Sequence, residues 1–153
     1  MPFYSMDEPE YWAQMPAKLK HLQGVDGMNR VVYFVLSKDP ENDPDAPVAA
    51  VLEMEPGTVI TRHAHDCERF EMIVKGTLEV DDRVLGPGDV MISHAHEEYG
   101  PHTAGADGCT TLEVFGTYTG SYMPIYPGPN GPVTIDWSEP TAAAEKAALL
   151  RRG

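Results

Sequence analysis

His63 and His65 stand one residue apart, between Gly57 and Gly76, in a stretch rich in strand formers. On a strand alternate side chains share a face, so both imidazoles point the same way. Neutral imidazole is the commonest protein ligand for Zn, Fe, Ni or Cu, and two convergent rings can meet one ion. The alternative is a pair of histidines that line a polar cavity or face water. Cys67, next along the chain, is a soft ligand or, more simply, an inert buried thiol. Arg69, facing inward, is a fixed cation whose fork suits a carboxylate or enolate; a salt bridge to Glu68 or Glu71 accounts for it equally well. Tyr99 can act as an acid or base, or bind an oxyanion, where a cation lowers its pKa from about 10. Otherwise it is an amphipathic wall residue with a satisfied hydroxyl. His94, His96 and His102 surround it.

Such residues need a rigid scaffold, and the pattern around them is one of short strands and tight turns. Segments 59–65, 70–75, 77–80, 90–93 and 110–115 read as strands, with turns at Asp81-Asp82 and Gly86-Pro87-Gly88-Asp89. Upstream, 30–36 and 48–54 are also strand-like and are separated by the Pro- and Asp-laden loop 39–47. Strands this short and regular predict an antiparallel barrel or jelly roll rather than alternating helices and strands. Segment 7–23 predicts a helix closed by Gly24, with Tyr11, Trp12, Met15 and Leu19 as its apolar stripe. Beyond Tyr118, four prolines (124, 127, 129 and 132) interrupt any long element, and an Ala-rich helix is expected over 142–150, ending at Arg151 and Arg152. The expectation is a single domain over 1–153, with a barrel core of about 30–122, a helical segment at 7–23, and a tail and helix at 123–153.

Composition narrows the partners. With 24 acidic and 11 basic residues among 153, the net charge is −13. That charge opposes docking to phosphate backbones or anionic lipid, so neither nucleic acid nor a membrane is an expected partner. No run approaches the roughly 20 apolar residues needed to span a bilayer, and the acidic N-terminal stretch lacks the basic start of a secretory signal. A cytoplasmic location is expected. Cys67 and Cys109 are too few for a disulfide framework and are expected to be reduced thiols.

Gly57, His63, His65 and Gly76 in register, followed by Gly86-Pro87-Gly88-Asp89-Val90, resemble the two motifs of the cupins, small double-stranded β-barrels. The resemblance covers roughly 48–115. It implies an all-β, double-stranded β-helix of the jelly-roll type, here with a short N-terminal helix and a C-terminal helix. It also implies a metal held by the His pair, a Glu that follows after three or four intervening residues, and a His from the second motif. This chain departs from that pattern: the Glu positions hold Arg69 and Phe70, and the second-motif His position holds Tyr99. Glu71 shares the strand parity of position 69, whereas Glu68 does not, but Glu71 sits about 6 to 7 Å further along. His102 is the expected substitute for the missing His, because Gly100-Pro101 can re-aim the chain there; His94 and His96 read as turn residues.

Two functional readings follow. In the first, His63, His65, Glu71 and His102 hold a divalent Fe, Ni, Zn or Mn ion, and Tyr99 and Arg69 handle protons and substrate charge. That is a dioxygenase, isomerase or lyase acting on a small organic acid or carbonyl compound. In the second, the barrel is a binding module, metal-free in its simplest form, that holds a small ligand in a pocket lined by residues such as Phe70, Met72 or Tyr99. A homodimer is expected in either case, with the aromatic segment from Phe3 to Trp12 able to reach a partner.

Overall fold

The computed structural model describes residues 1–152. Nine strands run in the order β1 (Met28–Val35), β2 (Val48–Met54), β3 (Val59–Ile60), β4 (Arg69–Val80), β5 (Arg83–Leu85), β6 (Val90–Ser93), β7 (His102–Phe115), β8 (Ile125–Tyr126) and β9 (Val133–Thr134). Three helices accompany them: α1 (Pro9–Trp12), α2 (Tyr118–Tyr122) and α3 (Ala142–Arg152). The first seven strands form one antiparallel sheet in the order β1-β2-β7-β4-β5, with β3 added on β7 and β6 added on β4. This is the all-β jelly-roll architecture expected from the strand spacing. Among the described residues, no helix is long and apolar enough to cross a membrane.

The two long strands, β4 and β7, bend the sheet into a barrel. Their pairing slips between Ile73 and Lys75 and again between Gly76 and Leu78. At that slip Gly76 and Gly108 both adopt positive φ, and a Cβ on Gly76 would lie 2.2 Å from the Gly108 carbonyl oxygen. Only glycine permits the two backbones to approach so closely. One half of β4 therefore pairs with β6 and the far end of β7, while the other half pairs with β5 and the start of β7.

Sequence and structure differ at several boundaries, each for a physical reason. The helix expected over 7–23 breaks into α1 and a 3-10 segment, Ala17–Leu22. Pro16 lacks the N–H a continuous helix needs and disfavours helical geometry at Met15. The apolar stripe still packs as expected, since Trp12, Met15 and Leu19 are buried. The strand expected over 59–65 shortens to β3, and the segments 70–75 and 77–80 fuse into β4 across the Gly76 bulge. Strand β7 begins at His102, eight residues before its expected start, because Gly105 and Gly108 give its first half the look of a loop. The C-terminal helix runs two residues beyond 150, to Arg152, with Arg151 and Arg152 in its last turn. Both cysteines are free and buried, as expected.

Candidate functional site in the barrel

The His pair lies outside the regular ladder but is pinned on both sides. His63 exchanges two backbone hydrogen bonds with Tyr99 (3.0 and 2.9 Å), and Ala64 exchanges two with Ile125 (2.8 Å each). The His96 N–H donates to the His65 carbonyl at 2.7 Å. The segment is thereby held extended, so both imidazoles face the barrel interior with ring centroids 5.1 Å apart. His63 Nδ1 donates to the Thr61 carbonyl and His65 Nδ1 to the Gly120 carbonyl, each at 2.7 Å. These contacts fix the tautomer and leave each Nε2 as an acceptor. Burial holds both rings neutral: His63 falls to about 3, and His65 is lowered for the same reason.

Behind the pair, the start of β4 places Arg69 and Glu71 on the same inward face. Strand β7 sets Glu113 directly opposite Glu71 in the ladder. Arg69 Nη2 donates to Glu71 Oε2 at 2.6 Å and to Glu113 Oε1 at 2.7 Å. The Arg69 and Glu71 side chains are all but closed to solvent at 2% and 4% exposure, while Glu113 retains 13%. Burial works against ionisation of both carboxyls, yet at Glu113 the Arg69 charge and hydrogen bonds prevail and hold it at about 2. At Glu71 burial and the neighbouring Glu113 charge prevail, and it is pushed well above the carboxylate range. Burial and the shared Arg69 charge thus push the two facing carboxyls in opposite directions, Glu113 down and Glu71 up.

Tyr99 joins the two halves of the site. Its ring covers the Arg69 guanidinium at 4.0 Å, and its hydroxyl meets His63 Nε2 at 2.7 Å. Since His63 Nδ1 already donates to Thr61, the Tyr99 hydroxyl is the donor and Nε2 the acceptor. Burial pushes the Tyr99 phenol well above its usual range, although Arg69 works in the opposite direction. His102 is buried at the start of β7 with its ring 5.8 Å from Tyr99, and its pKa is lowered by burial and by Arg69. The barrel therefore gathers His63, His65, Arg69, Glu71, Tyr99 and His102 into one polar cluster. His94 and His96 stay in an exposed turn, where His94 pairs with Glu68.

This arrangement does not fit a divalent metal. Among the described residues, no group of three or more His, Cys, Asp or Glu side chains is gathered as a metal would require. A permanent guanidinium cation stands among the four expected ligands, and its charge opposes a second cation there. Two of the unpartnered buried atoms, Arg69 Nε and Nη1, are donors that offer nothing to a cation. His63 Nε2 is already committed to Tyr99, and Glu71 Oε2 to Arg69, which leaves Glu71 Oε1 as the one unpartnered carboxyl oxygen of the cluster.

Above the His pair lies a cavity of about 130 Å³. Its floor includes His63, His65 and Glu113, and its walls include Tyr33, Phe115, Tyr126 and Trp137. The Lys146 ammonium, from α3, meets the Asp26 carboxylate at the rim. Phe70, Met72 and Tyr99, expected to line a pocket, all lie outside this one. The sequence reading missed Glu113, Tyr33, Tyr126, Trp137 and Lys146. For Glu113 a signal was present: it is the lone charged residue of the expected strand 110–115, flanked by Leu112 and Val114. The C-terminal residues carried none, because their role depends on how the tail folds back.

The chain matches no family model and no curated protein. It is similar to solved structures, among them an RmlC-like cupin protein from Ralstonia eutropha, 15% identical with a TM-score of 0.56, covering 94% of this chain and 83% of that one. KdgF from a Halomonas species is 23% identical with a TM-score of 0.43, over 56% of this chain and 78% of that one. A variant of oxalate decarboxylase from Bacillus subtilis is 18% identical with a TM-score of 0.48, and the likeness covers 60% of this chain but 26% of that enzyme.

Proposed function

We propose that this chain, which has the cupin fold, is a small-molecule binding protein that holds its ligand in the barrel cavity without a metal on the His pair. The observation that carries this reading is the Arg69 guanidinium, placed among the candidate ligands and neutralised by Glu113. A built-in cation replaces the charge that a metal would bring. The Tyr99 hydroxyl replaces the bond that a metal would make to His63.

Protonation states point the same way. General acid–base catalysis works best with groups that titrate near the working pH. In this barrel His63 is held far below neutrality and Tyr99 far above it, so the bond between them stores no easily moved proton. The part of the cluster that reaches the cavity, His63 and His65 with Glu113, is a polar floor that orients a ligand through fixed acceptors.

One observation favours the metalloenzyme reading: both imidazoles are tied through Nδ1 to backbone carbonyls, as metal-bound histidines usually are. Elemental analysis decides between the two. After incubation with Fe, Ni, Zn or Mn salts and desalting, the wild-type protein and His63→Ala should both retain well under one equivalent. Stoichiometric metal in the wild type that His63→Ala abolishes would overturn the binding reading.

A further inference from the structure

We infer that the cavity selects a neutral hydroxylated ring, a ligand of the phenol class, through Glu113 and His65. The inference rests on the binding reading above and names the chemical class that the floor and walls would accept.

The floor supplies acceptors. Glu113 gives Oε1 to Arg69 but keeps 13% of its side-chain surface, and it lines the cavity. His65 spends Nδ1 on the Gly120 carbonyl, so its remaining nitrogen, Nε2, can only accept. Of the donors near the cavity, Lys146 is engaged with Asp26, Ser121 with the Tyr118 carbonyl and the Trp137 indole N–H with the Tyr126 hydroxyl, whereas the Thr61 hydroxyl has no partner. A ligand that brings its own hydrogen-bond donor is the one that Glu113 and His65 can hold.

Charge sets the second condition. Glu113 is balanced by Arg69 and Asp26 by Lys146. An anionic ligand would face the Glu113 carboxylate with both nearby cations already paired. An ammonium ligand would give up its water shell for a carboxylate whose charge Arg69 already balances. A neutral hydroxyl meets neither penalty.

Size and shape set the third. A cavity of about 130 Å³ is close to the roughly 150 Å³ that holds benzene in another protein. Tyr33, Phe115, Tyr126 and Trp137 supply flat faces for a ring to pack against.

Calorimetric titration of the full chain with phenol, toluene, benzylamine and benzoate at neutral pH tests the inference. Phenol should bind at one equivalent and about tenfold or more tighter than toluene, the worth of one hydrogen bond to a charged group. Benzoate and benzylamine should bind more weakly than phenol. Glu113→Gln and His65→Phe should each narrow the gap between phenol and toluene while leaving toluene itself little changed. His65→Phe keeps the test available should Glu113→Gln not fold. Equal binding of phenol and toluene, or tighter binding of benzoate or benzylamine, overturns the ligand class and leaves the binding reading standing. Failure of all four to bind overturns both.

Discussion

Glu71 and Glu113 face each other across the β4–β7 ladder and reach the same nitrogen of Arg69, so one guanidinium nitrogen holds two carboxyl groups at once. Arg69→Met would leave Glu113 buried without its cation. Breaking a buried ion pair from one side costs about 3–5 kcal/mol, whereas replacing the whole set with apolar residues is often neutral. Chemical denaturation should therefore show a large loss for Arg69→Met. Most of that loss should be recovered when Glu71→Leu and Glu113→Leu are added, and if the triple variant is no more stable than Arg69→Met, the charge account of the cluster is wrong.

Stability should fall on acidification below neutrality. His63 and His65 have lowered folded-state pKa values, so the unfolded chain binds protons that the fold refuses. Their contribution is complete above the unfolded value of about 6.5 and is lost as pH falls below it, by up to about 1.4 kcal/mol per pH unit for each ring. Glu71 acts in the opposite sense: the fold keeps a proton that the unfolded carboxyl releases above its ordinary value, so its contribution is lost as pH rises. The two trends cross to give a stability maximum between about pH 6 and 7. Glu71→Gln removes the falling limb and should move that maximum upward in denaturation curves measured across the range.

Two glycines with nearly identical φ should respond differently to alanine. Gly57 has open space where a Cβ would stand, so Gly57→Ala pays only for the left-handed backbone, about 1–2 kcal/mol. Gly76→Ala adds a collision with the Gly108 carbonyl and should cost about 2–5 kcal/mol. Equal losses in thermal denaturation would mean that the β4–β7 bend tolerates more than its geometry suggests.

Lys146 should govern access to the cavity more than stability. Its partner Asp26 is half-exposed, so Lys146→Met should cost about 1 kcal/mol or less. Helix α3 should then exchange its amide protons faster, and a bound ligand should dissociate faster. Unchanged exchange in α3 would show that apolar packing of Leu149 and Ala142 against Ile135 and Tyr126 alone holds the helix down.

The strands of the barrel were legible because their turns are written in local chemistry: Asp81-Asp82 joins β4 to β5, and Gly86 to Asp89 precedes β6. The first half of β7 was not, because the glycines that allow the barrel to bend also erase the strand signal. The polar cluster was half legible. His63, His65, Arg69, Glu71, Tyr99 and His102 come together as their parity and motif positions suggest. That Arg69 stands among the ligands could be read from its position, but its pairing with Glu113 could not, since the partner lies 44 residues away on another strand. The cavity walls were least legible, because Tyr126, Trp137 and Lys146 belong to a tail whose prolines read only as interruption.

The cavity is built from two parts of the chain that are made at different times. Strands β1 to β7 close the barrel and set its polar floor, while Tyr126, Trp137 and Lys146 follow them in the sequence. In refolding, a barrel that closes before the tail docks offers its floor through an open top until α3 brings Lys146 to Asp26. Ligand present during refolding from denaturant should accordingly occupy more of the protein than ligand added to the folded chain for an equally short exposure.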